Sequence, residues 1–360
     1  MTDEPLNVAE VIERAAATVE PNVWCYFEGG AGDEVTLRAN VAAFRRWLLR
    51  PRMLVDVGEV STATTVLGTP VSMPLLVAPF AMQRLLHPAG EVATARATSA
   101  AGTLLCVSTI TTTAHEEIAA AAGKAPRWLQ LYVLRDRQRT LDHIAEAREA
   151  GYSALAVTVD APYLGIRERD VRLGFDIPSD LPLPYVKGKD ASVAMTFAEQ
   201  FQMTPSLTWR DLDWIASESR LPVVLKGLLT REDATLAVEH GAAGVIVSNH
   251  GGRQLDGVAA SLDALPEVVE AVGGRCEVYV DGGFRRGTDV LKALALGARA
   301  AFAGRAIAAG LAVGGEGGVA RVLELFRSEI ELGLALLGCT SPAEVSRSHV
   351  EPTVPYDPPA

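Results

Sequence analysis

The sequence predicts an α/β protein: a (β/α)8 TIM barrel with an N-terminal helical extension and a long loop after strand 4. Three observations predict this fold. Eight short apolar runs alternate with eight helical patterns from residue 73 onward. Several helical patterns end in a glycine just before the next apolar run. Polar residues recur where the apolar runs end. An open, doubly wound sheet is the alternative, but eight regular units favour closure.

The bounds of the repeating units follow from these patterns. The apolar runs cover residues 74–78, 103–108, 128–131, 154–159, 222–226, 244–248, 276–281 and 300–304. The helical patterns cover residues 90–101, 114–122, 135–150, 209–219, 231–240, 261–272, 288–296 and 317–337. Runs that are short and continuously apolar are typical of parallel strands buried on both faces.

Residues 1–72 precede this pattern, and residues 73–360 carry it. Helical patterns over 8–19 and 32–48 predict that the extension is a helical cap packed on the barrel. The chain is then a single domain overall. The longest connection, from about 165 to 208, contains four prolines and lacks strong periodicity, which predicts a lid or a mobile loop.

Composition excludes several classes of protein. With 49% hydrophobic and 21% charged residues, the 360-residue chain is globular. A net charge of −11 argues against a nucleic acid partner. The four cysteines are far apart and match no zinc spacing, so no metal is predicted. Dispersed cysteines and an acidic start without an apolar leader predict a cytoplasmic protein that does not enter a membrane.

Polar and charged residues stand at the carboxyl ends of the predicted strands. They are Gln130 and Tyr132, Thr158 and Asp160, Lys226, Ser248 and His250, Asp281, and Gly304 and Arg305. The carboxyl ends of the strands form the active-site face of a barrel. The sequence therefore predicts a functional site built from at least six strands.

The base loop, residues 248–254, reads Ser-Asn-His-Gly-Gly-Arg-Gln and is the most informative stretch. It places a histidine and an arginine at one strand end, with two glycines that allow close approach of a ligand. His250 is therefore the candidate base. The other histidines have structural interpretations; His143, for example, lies in a polar helical pattern and is expected to be solvated.

Two glycine-rich segments follow the seventh and eighth strands, residues 281–287 and 304–305. Loops after these strands commonly bind phosphate in barrels, through backbone N–H groups and an arginine. Lys226, at the end of a buried strand, requires a partner. Three interpretations of Lys226 stay open: it stabilises an anionic cofactor, it forms a Schiff base with a substrate, or it forms an ion pair with Asp281 or Asp160.

Two arginines, Arg167 and Arg253, follow the fourth and sixth strands and suit a substrate carboxylate. Tyr26 and Tyr132 offer phenolic donors, and Asp160 is placed to orient His250. A base, a carboxylate clamp and a phosphate cradle indicate a reaction on a small acid with a phosphorylated cofactor. The chain has neither GxGxxG after the first strand nor a Walker A sequence.

These motifs resemble the FMN-dependent L-2-hydroxy acid oxidase/dehydrogenase family, which includes glycolate oxidase, lactate oxidase, mandelate dehydrogenase and hydroxymandelate oxidase. The resemblance spans Tyr26 to His349 and includes residues 50–52, 78–83, 130–132, 158–160, 226–227, 248–254, 281–283 and 346–349. It implies FMN as cofactor, a small 2-hydroxy acid as substrate, O2 or a quinone as electron acceptor, and a homo-oligomer, a tetramer or an octamer.

The resemblance also implies roles at matching positions. His250 would take a proton from the 2-hydroxy acid, with support from Asp160. Arg167, Arg253 and Tyr26 would bind the carboxylate, and Tyr132 the hydroxyl. Lys226 would stabilise the reduced, anionic flavin. The remaining cofactor contacts would be Ala81, Ser108, Gln130 and Thr158 at the isoalloxazine, Ser248 and Asp281 near the ribityl chain, and Gly283, Arg285, Gly304 and Arg305 at the phosphate.

Three apolar residues bear on the substrate. Ile110 stands where glycolate oxidases carry a bulky aromatic residue, and Met82 and Leu164 add apolar surface. We therefore expect a roomy, apolar substrate pocket. Ala81 favours an oxidase over a quinone-linked dehydrogenase, since a glycine there is associated with dehydrogenases. Two alternatives stay open: a Schiff-base lyase or isomerase of a phosphorylated substrate, and a catalytically silent barrel that only binds FMN or a partner.

Overall fold

The computed structural model describes residues 4–185 and 203–353. Three helices open the chain: α1 (Val8–Thr18), α2 (Pro21–Glu28) and α3 (Val35–Ala42). Three short strands follow: β1 (Trp47–Leu49), β2 (Thr64–Val66) and β3 (Thr69–Val71). The predicted helix over 32–48 is thus shorter than expected. Its last residues form β1, because they pair with residues 350–352 near the end of the described chain.

Two elements of the extension were not expected from the sequence. Helix α2 buries Trp24, Cys25, Tyr26 and Phe27 in succession, so it shows no helical periodicity, although Pro21 is preset for a first turn. Strands β2 and β3 form a hairpin whose turn residues, Leu67 and Gly68, both have positive φ. The Leu67 N–H donates to Glu277, at the first residue of a barrel strand, so the hairpin covers the amino ends of the strands.

Eight parallel strands close into a barrel in chain order, which confirms the predicted fold. They are β4 (Leu75–Val77), β5 (Leu105–Ser108), β6 (Arg127–Leu131), β7 (Ala154–Thr158), β8 (Val223–Leu228), β9 (Gly244–Val247), β10 (Glu277–Asp281) and β11 (Ala300–Ala303). Trp128, Tyr279 and Phe302 fill the interior near the hairpin, with ring centroids 5.4 to 6.0 Å apart. The end of the barrel beside the hairpin is therefore a packed core, and the carboxyl ends of the strands are left to form a site.

Helices surround the barrel. They are α4 (Gly90–Ala100), α5 (His115–Ala122), α6 (Arg137–Glu149), α7 (Glu168–Arg172), α8 (Trp209–Ser219), α9 (Arg231–Glu239), α10 (Ser261–Val272), α11 (Gly287–Ala295) and α12 (Arg305–Leu337). Strand β12 (Val350–Pro352) pairs with β1. Helix α7 lies in the long connection, whose residues 186–202 are outside the described residues. The predicted lid therefore stays a prediction.

Helix α12 begins at Arg305, twelve residues before the sequence pattern indicated. Its glycines obscure the periodicity, and the helix is kinked at Gly314 and Gly315, which have non-helical backbone angles. By length and composition it is long and apolar enough to cross a membrane, but 56% of its apolar window is buried within the protein. It packs against α1 and α4 as part of the shell around the barrel.

One cluster in this shell corrects the expectation that His143 is solvated. His143 is buried, and its Nε2 lies 2.8 Å from Nε2 of His115 at the start of α5. His115 Nδ1 lies 3.0 Å from the Tyr152 hydroxyl, and its backbone N–H donates to the hydroxyl of Tyr185. The Tyr185 ring stacks on both imidazoles, with centroids 4.3 and 4.4 Å away. The cluster thus holds one end of the long connection against the barrel.

We expect this histidine pair to make the fold sensitive to acid. Burial lowers the pKa of His115 and of His143 below the ordinary value of 6.5, and at His115 the neighbouring His143 lowers it further. Below pH 6.5 the unfolded chain binds protons that the folded pair does not, so stability is lost as the pH falls. Between about pH 7.5 and 5.5, each histidine should remove about 1.4 kcal/mol from the free energy of unfolding.

Urea unfolding at both pH values tests this expectation. His143→Gln should show a weaker pH dependence than the wild type, because one of the two buried imidazoles is gone. Arg148→Gln, on the exposed side of the same helix, is the matched control and should keep the wild-type dependence. An unchanged pH dependence in His143→Gln would exclude the pair as the source.

Candidate active site

A cavity opens at the carboxyl ends of the barrel strands. Each of the eight strands, or the loop directly after it, contributes to its lining. Of the predicted site residues, the lining includes Tyr26, Ala81, Ser108, Ile110, Gln130, Tyr132, Thr158, Leu164, Arg167, Lys226, His250, Arg253, Asp281, Gly283, Arg285, Gly304 and Arg305. The structure therefore brings together side chains that are dispersed over most of the sequence.

His250 is placed by an unusual backbone. Its φ is +57°, a left-handed value that is uncommon for a non-glycine residue, and Gly251 and Gly252 continue it with φ of +65° and +75°. The His250 N–H donates to the Ser248 hydroxyl at 3.0 Å. This turn directs the imidazole back over the strand ends, where it contacts Asp160 and Tyr132.

The imidazole of His250 is oriented by a carboxylate. Its Nδ1 lies 2.9 Å from Asp160 Oδ1, and its Nε2 lies 3.3 Å from the Tyr132 hydroxyl. Because an ionised carboxylate only accepts, Nδ1 carries the proton and Nε2 is left as an acceptor. Nε2 is therefore the basic atom of the site, and it faces the cavity beside Tyr132.

Asp160 is kept ionised although only 12% of its side chain is exposed. Burial would raise its pKa, but the charge and hydrogen bond of His250, together with Lys226, outweigh burial and hold the pKa below its ordinary value. Gln254 Nε2 donates to the backbone oxygens of Asp160 and Tyr163, both at 2.8 Å, so the base loop also holds the backbone of Asp160. Asp160 lies behind His250 and does not line the cavity. It acts on the site through the imidazole.

Two arginines flank the ring of Tyr26. The Arg167 and Arg253 guanidinium carbons lie 5.0 and 4.9 Å from the ring centroid, and Phe175 stacks on the ring at 4.5 Å. Arg253 Nη1 donates to the carbonyl oxygens of Tyr26 and Gly29, which fixes the position of its guanidinium. Burial lowers the pKa of Arg253 to about 10, and the charge of Arg167 adds to this shift. Arg167 Nε is paired with Asp170 Oδ2 at 2.9 Å. Both arginines nevertheless line the cavity, where their guanidinium groups suit a carboxylate.

Lys226 is buried in an ion pair. Its Nζ lies 3.2 Å from Asp281 Oδ2 and donates to the Ser248 hydroxyl at 2.9 Å. Burial would lower its pKa, but Asp281 and Asp160 outweigh burial and raise it. The ammonium therefore stays charged at neutral pH. Of the three interpretations of Lys226, the ion pair with Asp281 is present, and it preserves a cation rather than a nucleophilic amine.

A polar ladder crosses neighbouring strands beside Lys226. Gln130 Nε2 donates to the Thr158 hydroxyl at 2.9 Å, and Gln130 Oε1 accepts from the Ser108 hydroxyl and the Thr109 N–H. The register places Ser108 opposite Gln130 and Thr158 opposite Lys226. Such a row of donors and acceptors, ending in a cation, fits the polar edge of a flavin ring.

The second half of the cavity fits a phosphate. Gly282 and Gly283 have φ of +101° and +84°, and a Cβ on Gly283 would collide with the backbone oxygen of Asn40, so only glycine fits there. Arg285 is half-buried; burial lowers its pKa, and its Nη1 donates to the Phe284 carbonyl oxygen. Gly304 stands at the amino end of α12, where backbone N–H groups attract anions.

Arg305 has a role that the sequence did not suggest. Its guanidinium donates to the carbonyl oxygens of Phe27, Glu28, Gly29 and Gly251 and so joins the extension to the base loop. Burial lowers its pKa to about 9, and Arg253 and Arg285 add to the shift. The charges of Arg253 and Arg285 act on Arg305 more strongly than those of Glu28 and Asp281, so this end of the site is electropositive. The residues present therefore fit FMN. The polar ladder and Lys226 suit the flavin ring, and the glycine-rich loops with Arg285 and Arg305 suit the dianionic phosphate.

The structure corrects the position of Met82. We expected it in the substrate pocket, but its side chain is fully buried and does not line the cavity. A left-handed backbone, with φ of +54°, turns the side chain into the core, while its N–H donates to the Ile110 carbonyl oxygen. Met82 therefore supports Ile110 from behind. Ser248 is likewise buried beneath the cavity, bonded to Lys226.

Sequence reasoning did not identify Phe175 or Gln254 as site residues. Gln254 belonged to the base loop, and its position in that motif was the only signal. Phe175 lies after α7 and reaches the site only because that helix packs on α2. No local pattern marks such a contact.

The chain as a whole is similar to known proteins. A family model described as FMN-dependent dehydrogenase matches residues 15–352. The chain is 48% identical to an L-lactate oxidase of Nostoc sp. over 358 residues, 96% of this chain and 97% of that protein. It is also 48% identical to glycolate oxidase 3 of Arabidopsis thaliana, over 97% of this chain and 96% of that protein. A crystal structure of a mandelate oxidase with 3,3-difluoro-2-hydroxy-3-phenylpropionic acid aligns with a TM-score of 0.89 at 40% identity, covering 97% of this chain and 100% of that chain.

Proposed function

Because the chain belongs to the FMN-dependent dehydrogenase family, we propose that its site oxidises an L-2-hydroxy acid to the 2-oxo acid. The electron acceptor is O2, which is reduced to H2O2. The protein is thus an FMN-dependent oxidoreductase that acts on 2-hydroxy acids. Bound FMN supplies the two-electron oxidant, and the side chains of this chain bind and orient the substrate and accept its proton.

The arrangement of His250 carries the proposal. A basic Nε2, oriented by Asp160 and adjacent to the Tyr132 hydroxyl, stands beside the arginine pair on Tyr26. Arg253 and Arg167 bind the substrate carboxylate and so bring the 2-hydroxyl group to His250 and Tyr132. His250 Nε2 then accepts the proton, and the Asp160 carboxylate stabilises the imidazolium that forms. Holding the acid at both groups orients the reacting carbon for oxidation.

The Schiff-base alternative is disfavoured by Lys226. A lysine nucleophile must lose its proton, whereas the charges of Asp281 and Asp160 keep this ammonium protonated. The same charge suits a site for an anionic cofactor. Two observations separate the hypotheses: the visible absorbance of bound flavin, and its bleaching by a 2-hydroxy acid without oxygen. A colourless protein that borohydride traps on a carbonyl substrate would support the lyase, and a flavin that no 2-hydroxy acid bleaches would support a silent barrel.

The choice of O2 over a quinone is supported by two observations. Ala81 lines the cavity at the position where the resemblance links glycine to dehydrogenases, and the relatives named above are oxidases. The balanced reaction consumes one O2 and releases one H2O2 for each 2-oxo acid. An oxygen electrode with peroxide quantification tests it. Slow reoxidation in air and fast reoxidation by a soluble quinone would favour the dehydrogenase.

The substrate side chain is proposed to be apolar and larger than that of glycolate. Ile110 and Leu164 line the cavity, and Met82 holds Ile110 from behind through the Ile110 carbonyl oxygen. Each additional buried methylene of the substrate should gain about 0.8 kcal/mol, so kcat/KM should rise from glycolate to longer or aromatic acids.

Replacing Ile110 by Trp tests this specificity argument. The indole should fill the space for the side chain, so Ile110→Trp should lose kcat/KM on long and aromatic acids and keep it on glycolate. Ile118→Val, in the core of α5 away from the cavity, is the control and should keep the wild-type ranking. If the wild type prefers glycolate and the Trp variant leaves the ranking unchanged, Ile110 does not determine specificity.

We also propose a cytoplasmic homo-oligomer, a tetramer or an octamer. All four cysteines lie in the described residues and are free thiols, which suits a reducing compartment. Met53, Leu54 and Val55 are exposed next to α12, where Leu332 and Leu336 are exposed as well, and the Arg52 N–H donates to the Leu337 carbonyl oxygen. An apolar patch of this kind supports a subunit contact. Sedimentation of the wild type and of Leu54→Asp tests the assembly and this surface.

A further inference from the structure

The base loop is joined to the N-terminal extension by two buried asparagine side chains. Asn40 lies on α3 and is 2% exposed, and Asn249 precedes His250 and is 4% exposed. Asn40 Nδ2 donates to Asn249 Oδ1, and Asn249 Nδ2 donates to Asn40 Oδ1, both at 2.8 Å. The two amides therefore form a closed ring of hydrogen bonds between residues 209 positions apart in the chain.

The same amides also tie down the segment that follows His250. Asn249 Oδ1 accepts from the Gly252 N–H at 3.0 Å, and Asn249 Nδ2 donates to the Ala259 carbonyl oxygen at 3.0 Å. Asn40 Oδ1 accepts a further hydrogen bond, at 3.2 Å, from the N–H of Ser261 at the start of α10. Within the described part of the chain, both amide oxygens and three of the four amide N–H groups of the pair have partners. The pair thus fixes both ends of the segment that carries His250.

The backbone at His250 requires such support. His250 has a left-handed φ and is not a glycine, which carries a conformational cost that the surrounding structure must offset. The bond from the Gly252 N–H to Asn249 spans the left-handed residues, and the bonds to Asn40 hold Asn249 itself. Removal of Asn40 would free one side of this turn without touching the substrate or His250.

We propose that Asn40 is a positioning residue for the oxidation: through Asn249 it holds the His250 backbone in the conformation that presents Nε2 to the substrate. The inference rests on the proposed function of His250. It assigns part of the active site to the extension, which becomes a component of the catalytic structure and not only a cap. Asn40 also packs against Gly282 and Gly283, so it contacts both halves of the site.

Stopped-flow reduction of the bound flavin by substrate without oxygen tests the proposal. In Asn40→Asp and Asn40→Ala, each fully loaded with FMN, the reduction rate should fall by about 10- to 100-fold, because small misplacements of a catalytic group have effects of this size. Substrate Kd should change much less. The matched control is Thr36→Val, which removes two hydrogen bonds between the same helix and Gly257 and Val258. It should lower Tm to a similar degree and leave the reduction rate unchanged.

A double-mutant cycle shows whether Asn40 acts through His250. In a His250→Ala background, Asn40→Ala should have almost no further effect on the reduction rate, since no base is left to position. Full additivity of the two losses would overturn the proposal, as would an equal rate loss in Thr36→Val. Asn40→Asp preserves the size of the side chain and its Oδ1 acceptor. It therefore serves as the test variant if Asn40→Ala does not fold.

Hydrogen exchange adds a measurement that is independent of turnover. Peptides that cover residues 248–254 should exchange faster in Asn40→Ala than in the wild type, with and without FMN. Unchanged exchange would contradict the proposed anchoring. If the wild-type flavin is not reduced by any 2-hydroxy acid, the proposed function fails, whereas faster exchange in the variant would still support the anchoring. The two failures are therefore distinguishable.

Discussion

His250→Ala should retain FMN and lose most of its reduction by substrate, with a rate about 10²- to 10⁴-fold below the wild type. The imidazole Nε2 is the one basic atom beside Tyr132 and the arginine pair in the described site, and Asp160 holds its tautomer. The phosphate end of the cavity is formed by other loops, so cofactor binding should survive. Anaerobic stopped-flow reduction, together with FMN content from absorbance, checks both parts of the expectation.

Two further variants distinguish the role of His250 as the base from the role of Asp160 in supporting it. His250→Gln keeps a polar side chain but supplies no base, so it should be as slow as His250→Ala. Asp160→Asn should be slow for another reason, because a neutral amide no longer stabilises the imidazolium. The control is His240→Gln, at the end of α9 and outside the cavity lining, which should reduce FMN at the wild-type rate. Near-normal turnover in both His250 variants would remove His250 from the mechanism.

The barrel could be predicted because its signal is local and repeated. Each strand is a short apolar run, each helix has its own period, and many units end in glycine. Where an element is apolar on every side, this signal disappears, and α2 was missed for that reason. The strand at Trp47 was misassigned because only its pairing with Val350 to Pro352, some three hundred residues away, stabilises an extended backbone.

The site was predictable where chemistry and contiguity coincide. His250, Arg253 and their glycines are neighbours in one loop, and Lys226 and Asp281 stand at strand ends that every barrel directs to one face. Met82 was misplaced because the sequence does not reveal a left-handed backbone that turns a side chain inward. Asn40 was not considered, since its partner is 209 positions away and a single asparagine in a helix has no distinctive pattern. Residues that position a site are therefore harder to predict than those that react.

Arg253→Lys should weaken substrate binding far more than it weakens FMN binding. Lysine keeps the charge, but it cannot both donate to the carbonyl oxygens of Tyr26 and Gly29 and present a planar edge to a carboxylate. Losing one hydrogen bond to a charged group costs about 1.5–3 kcal/mol, so kcat/KM should fall by about 10- to 150-fold.

Steady-state kinetics and FMN titration of Arg253→Lys together decide between two roles for this residue. Arg172→Lys, an exposed arginine on α7 paired with Glu168, is the matched control and should leave both quantities unchanged. An unchanged kcat and KM in Arg253→Lys would show that the carboxylate binds elsewhere. A variant that cannot be loaded with FMN would instead assign Arg253 to the cofactor, since its charge also acts on Arg305 at the phosphate end. We expect FMN binding to stay intact while binding of the substrate acid weakens. This combination requires that the guanidinium face the substrate while its Nη1 remains bound to the extension.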